Sequence, residues 1–235
     1  LVQALTGHKT LAMVERYTHV DANQPRLVIV DTNCFVRLYM SPVRPLLGVA
    51  VGGVKLMTLT ELRLETSHRS NVRERHPWMG ATDIQADLDR ACVSLREPKK
   101  SKIALAAKVT RLSGNGLLAG FCAAQGTQVV RELSLNDARA LAAADVLDAA
   151  LATDEWPLRY VATELGMGGA GQLFSSVEVL HMLEAAGSLG RDARIQTVRA
   201  WIQQAEALER GWAARYQTLF GEAAPDGQSD SSASA

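Results

Sequence analysis

The stretch Leu27-Val-Ile-Val-Asp-Thr-Asn33 decides the fold. Its first four residues are apolar and mostly β-branched, with no polar residue between them. A strand reads this way when both of its faces are buried, as in a parallel sheet covered by helices. The run ends on an acid. Asp31 and the small polar Thr32 and Asn33 then lead into an amphipathic stretch, so the segment reads as strand, turn, helix.

Working outward, the same unit recurs. Val54-Lys-Leu-Met57 is a second strand, Gln128-Val-Val130 and Ala149-Ala-Leu-Ala152 are further candidates, and Gln172-Leu-Phe174 is a possible last one. The spacing predicts helices over 33–40, 60–69, 81–94, 101–124, 136–147 and 156–165. Strand-helix alternation of this kind predicts an α/β fold, a parallel sheet sandwiched by helices. Aromatic residues make up only 5% of the chain while Ala and Leu abound, which favours helices on a sheet over an all-β sandwich.

Composition divides the chain into four zones. Residues 1–25 close on the turn-rich Asp21-Ala-Asn-Gln-Pro25, and 26–170 carry the α/β pattern. Residues 171–221 read as a helical extension, and 222–235 as a disordered Gly/Ser/Asp tail too polar to fold. In the extension, Ile195, Val198, Trp201, Ile202, Ala205, Leu208, Trp212, Tyr216 and Leu219 recur at steps of three and four, which predicts one long helix with a single apolar stripe. Such a stripe is either a core-packing face or a docking face for a partner or a second subunit in a homodimer.

Lys+Arg and Asp+Glu both number 25, so no global field draws in a polyanion. Nucleic acid would have to be held by local basic patches and bound cations, which argues against a DNA-coating protein. Cys34, Cys92 and Cys122 are odd in number, far apart and never spaced as Cys-x-x-Cys, so neither a disulfide framework nor a structural zinc is expected. With no apolar run of about 18 residues and no leader, the expected setting is a reducing cytoplasm without membrane contact.

The acids fall in a pattern. Asp31 follows the first strand, Glu61 follows the second by a few residues, Asp137 opens the helix after Val130, and Asp154 and Glu155 follow Ala149–Ala152. In an open parallel sheet the carboxyl ends of the strands line one edge, where ligands bind. Carboxylates crowded there repel one another unless a cation neutralises them, and oxygen-only ligands suit Mg²⁺ or Mn²⁺. Such an ion activates water and stabilises charge on an attacked phosphate. Each acid also has a structural reading. Thr58-Leu-Thr-Glu61 and Ser134-Leu-Asn-Asp137 have capping-box spacing, and Asp154 could complement a helix dipole. Asp31 fits this reading least well, because it ends an apolar run.

The ordered set resembles the PIN-domain nucleases over roughly residues 26–165. Leu27–Asn33 is similar to their opening strand and first acid, Thr60-Glu-Leu62 to their second acidic position, Ser134–Ala144 to their third, and Leu151-Ala-Thr-Asp-Glu-Trp-Pro-Leu158 to the closing "apolar, Thr, acid" element. The resemblance implies Mg²⁺- or Mn²⁺-dependent endoribonuclease action on single-stranded RNA, often as the toxin of a toxin–antitoxin pair with an antitoxin protein as partner. It also implies Asp31, Glu61, Asp137 and Asp154 as catalytic metal ligands, with Thr32, Asn33 and Thr153 in support. The family's last acid often lies two residues after the Thr, which here is Glu155. Asp154 is taken first and Glu155 kept as the alternative. The long interval between Glu61 and Asp137 implies an inserted helical hairpin. Arg63, Arg69, Arg73, Arg96, Lys99, Lys100 and Lys102 are the basic residues available to hold substrate, although the Lys run also reads as a solvated loop.

Leu5-Thr-Gly-His-Lys-Thr-Leu-Ala-Met-Val-Glu-Arg-Tyr-Thr-His19 resembles the final segment of tyrosine recombinases, with His8 and Tyr17 at the assisting and nucleophilic positions. The Arg- and Lys-bearing elements that precede it in that family are not in this chain, and transition-state charge depends on such cations. Residues 1–25 are therefore expected to be a non-catalytic remnant. A DNA-recombination protein and a non-catalytic binding module stand as the alternative functions.

Overall fold

The computed structural model describes residues 25–61, 74–127, 131–167 and 172–225. The opening stretch folds as read: β1 (Arg26–Val30) runs into α1 (Thr32–Tyr39) with Asp31 as the N-cap between them. The short strand β2 (Ala50–Val51) pairs antiparallel with β3 (Val54–Met57). Then come α2 (Thr82–Ala91), α3 (Lys99–Ala124) and α4 (Leu135–Leu147), followed by β4 (Ala150–Ala152), α5 (Trp156–Glu164) and β5 (Leu173–Phe174). The helices α6 (Ser176–Ala185), α7 (Arg191–Gln203) and α8 (Trp212–Phe220) complete the described chain.

The sheet has five strands in the order β2-β3-β1-β4-β5. β1 lies at its centre, parallel to β3 on one side and to β4 on the other, and β5 extends the parallel run. Side chains alternate along β1. Val28 and Val30 enter one cluster with α1, α2, α6, α7 and α8, while Ile29 enters another with α3, α4 and α5. Both faces are therefore covered, and this is why Leu27–Val30 holds no polar residue. Among the described residues no helix is long and apolar enough to cross a membrane.

One strand went unread and two expectations need correction. The hairpin strand Ala50–Val51 was not legible, because two residues carry no periodicity. The single long helix over 195–219 is broken into α7 and α8: Ala205 and Gly211 take left-handed φ of 52° and 83°, which no continuing helix permits. Residues 171–221 are also no appendage. Val177, Leu180, Leu183, Val198, Trp201 and Tyr216 share a core with Val28, Val30 and Phe35, so the stripe is mainly a packing face of the sheet's own cover. The strand candidate at 128–130, the continuation of the Glu61 helix with Arg63, Arg69 and Arg73, and His8 and Tyr17 lie outside the described residues.

Candidate functional site

Three pieces of local geometry bring acids to one edge. Because β3 is parallel to β1, with Ile29 in register with Met57, both strands end on the same side, and Thr58 Oγ1 ties the end of β3 to Val30 O at 3.2 Å. Asp31 and Glu61 emerge there. The third acid arrives by a return path. α4 is separated from β4 only by Asp148 and Ala149, with Asp148 in the left-handed region at φ 52°. So tight a reversal lays helix and strand antiparallel, and the N-terminus of α4 comes back to the edge where β4 ends. Asp137 sits in its first turn.

Asp31, Glu61 and Asp137 together line a small cleft, with Thr32, Thr58 and Asn136 beside them. Its volume of about 20 Å³ suits a water-sized occupant. Every polar side-chain group on this wall belongs to a carboxylate, a hydroxyl or an amide. The three acids line the cleft without closing on a common point: among the described residues, no three His, Cys, Asp or Glu side chains are gathered as a metal-holding group.

Asp31 is the most perturbed of these acids. One carboxylate oxygen caps α1 by accepting from Cys34 N at 2.7 Å, and the other accepts from the Thr153 hydroxyl. Burial pushes its pKa from 3.8 up to about 7. Those two hydrogen bonds oppose the shift, and the Glu155 charge adds to it. A carboxylate has about four lone-pair sites, so two accepted bonds leave Asp31 able to accept more.

The other predicted residues divide sharply. Asn33 donates to the Glu155 carboxylate, which bridges the ends of β1 and β4, and Thr153 Oγ1 also accepts from Glu155 N at 3.1 Å. Asp154 is not in the cleft. It is buried, accepts from Ser176 N at 3.0 Å and from the Ser176 hydroxyl, and pairs with the buried Arg37 at 2.7 Å. The two adjacent acids therefore part company. Asp154 turns to the α1/α6 side of the sheet, whereas Glu155 is the one whose charge bears on Asp31. Successive side chains at the end of an extended segment point to opposite faces, which accounts for the division. Asp137 keeps its capping role while lining the cleft: its carboxylate accepts from Ser134 N, and its own N–H donates to the Ser134 hydroxyl, both at 3.1 Å. Lys99, Lys100 and Lys102 are exposed at the start of α3, and Arg96 is exposed just before it.

Sequence reasoning missed Arg37, Ser176 and Asn136. The signal for Arg37 was present: it is the one charged residue in Thr32–Tyr39, a segment otherwise apolar on its buried side. A lone cation there requires a buried partner. Ser176 and Asn136 carried no comparable signal, because a residue next to a cap looks like any other helix start. No family model matches this chain, and no curated protein or solved structure matches it either.

Proposed function

We propose that this chain is a metal-dependent nuclease with a PIN-like architecture, acting on the phosphodiester bonds of single-stranded RNA. The observation that carries this reading is the convergence of Asp31, Glu61 and Asp137, from three separate segments, on one cleft at the carboxyl edge of a parallel sheet. Capping alone does not require acids so far apart in the chain to share a cleft.

The donor set fits Mg²⁺ or Mn²⁺. Both take hard oxygen ligands, and Mg²⁺ needs only one or two carboxylates, its remaining positions going to water and substrate phosphate. Asp31 would hold the ion with Asp137 or Glu61, and a bound ion would supply charge neutralisation and an acidified water. The protein's own contribution follows from the contacts. Cys34 N and the Thr153 hydroxyl fix the plane of the Asp31 carboxylate, so its remaining lone pairs face one direction. Burial holds the metal-free carboxyl near 7, so a bound cation would stabilise the charged form that the surroundings of Asp31 disfavour. Asn33 holds Glu155 beside it, keeping negative charge at the site. In this reading Glu155, rather than Asp154, takes the place of the closing acid.

The test is incubation of the purified protein with mixed single-stranded RNA, in Mn²⁺ or in EDTA, alongside Asp31→Asn. Cleavage is expected with Mn²⁺ only, and the substitution should reduce it by about a hundredfold or more. Cutting in EDTA, or full activity in the variant, overturns the assignment.

A further inference from the structure

The long helix α3 has two apolar sides, and the fold uses one. Ile103, Ala107, Thr110, Gly114, Leu118 and Cys122 pack inward. On the opposite side Leu105, Val109 and Leu112 stand 67%, 60% and 80% exposed. The outward line continues through Gly116, Ala119 and Ala123, all exposed. These six positions follow one another at intervals of four, three, four, three and four, which is the heptad spacing of a helix-pairing seam. Its first half is large and its second half small.

The glycines sharpen the point. A Cβ at Gly114 would meet Val161 at 2.9 Å, so internal packing explains that glycine. A Cβ at Gly116 or Gly120 would meet nothing. Glycine inside a helix is destabilising relative to alanine, so no packing among the described residues accounts for these two. Close approach of another backbone does account for them. An open apolar hollow lined by Gly116, Leu117, Gly120, Phe121, Tyr160 and Leu165 flanks the same small-residue half.

We propose that this face docks a second copy of the chain, with the two α3 helices antiparallel about a twofold axis level with residue 114. That symmetry sets Leu105 against the partner's Ala123, Val109 against the partner's Ala119 and Leu112 against the partner's Gly116. Every large residue meets a small one, and each contact occurs twice, as an isologous interface requires. Parallel pairing would set large against large and glycine against glycine. It would also bring together Lys99, Lys100, Lys102, Lys108 and Arg111 of both copies, in a helix that contains no acid. Antiparallel pairing lays that basic half along the uncharged half of the other helix. It is this self-complementarity that selects a second copy over an unrelated protein.

The test is sedimentation velocity of the full chain up to about 100 µM, comparing wild type with Gly116→Leu and with the double variant Leu112→Ala/Gly116→Leu. The wild type is expected at twice the chain mass. Gly116→Leu enters open space in the monomer, so circular dichroism should show it folded, but it collides with the partner's Leu112 and should weaken self-association by about tenfold or more. The double variant restores a large residue facing a small one and should recover the dimer. A monomeric wild type, a dimer indifferent to Gly116→Leu, or a double variant no better than the single one overturns the proposal.

Discussion

Asp31 and Asp154 hold corresponding places in the fold and lead opposite chemical lives. Each comes soon after one of two neighbouring parallel strands, β1 and β4, and each is largely buried. Asp154 faces a guanidinium and the N-terminus of α6, so its charge is matched by Arg37 and by Ser176 N–H. Asp31 faces a hydroxyl, one backbone N–H and the Glu155 carboxylate, and burial lifts its pKa to about 7. The first carboxylate is satisfied by the protein. The second is held at a cost that a bound cation would relieve, as the proposed metal site requires. What separates them is the side of the sheet each faces, since residue type and position after a strand are nearly the same.

The comparison can be broken by substitution. The largest effect is expected at Asp154→Ala. It leaves Arg37 buried with the more distant Glu206, at 3.8 Å, as its remaining ion pair among the described residues, and should cost about 3–5 kcal/mol in urea unfolding. A loss under about 1 kcal/mol would mean the pair is not what holds α1 to α6.

Asp31→Asn should move stability the other way. The folded pKa near 7 lies above the ordinary 3.8, so the folded state binds the extra proton between those values. Stability from this group is fully present below about pH 4 and is lost as pH rises through 7. In EDTA at pH 8, Asn keeps the cap without the buried charge and should raise stability by roughly 1–3 kcal/mol, while flattening the pH dependence between 4 and 7. If the variant instead unfolds more easily at pH 8, Asp31 is a structural acid like Asp154.

The smallest stability change is expected at Asp137→Asn, where an oxygen remains to accept from Ser134 N–H and the capping box survives in part. Unfolding should shift by less than about 1 kcal/mol, while Mn²⁺-dependent RNA cleavage falls by about tenfold or more. Equal loss in both measurements would reduce Asp137 to a cap.

Much of the architecture was legible because it rests on local periodicity. Val54–Met57 is the strand that was read, and the helices read at 33–40, 101–124 and 136–147 start within two residues of those observed, because apolar spacing sets them. The break between α7 and α8 was not legible, because the stripe from Ile195 to Leu219 keeps helical spacing across a bend whose only local sign is Gly211. In the candidate site, the sequence pointed to the edge and to Asp31, Glu61 and Asp137, which line the cleft, but it ranked Asp154 before Glu155, and Asp154 pairs with Arg37 away from the cleft. Adjacent residues at a strand end point to opposite faces, and the choice depends on which face holds Arg37, a residue over a hundred positions away in the chain.

By itself the sequence determined the strand-helix grammar: a buried β1 followed by an acid, helices alternating with strands, and a sheet with both faces covered. These depend on short-range periodicity and backbone hydrogen bonding, which a window of a few residues records. Only the tertiary structure decided which acids share a cleft, which one is neutralised by a buried cation, and which side of α3 is left uncovered. Those outcomes depend on long-range packing and on electrostatics acting through space, and neither leaves a trace in sequence spacing.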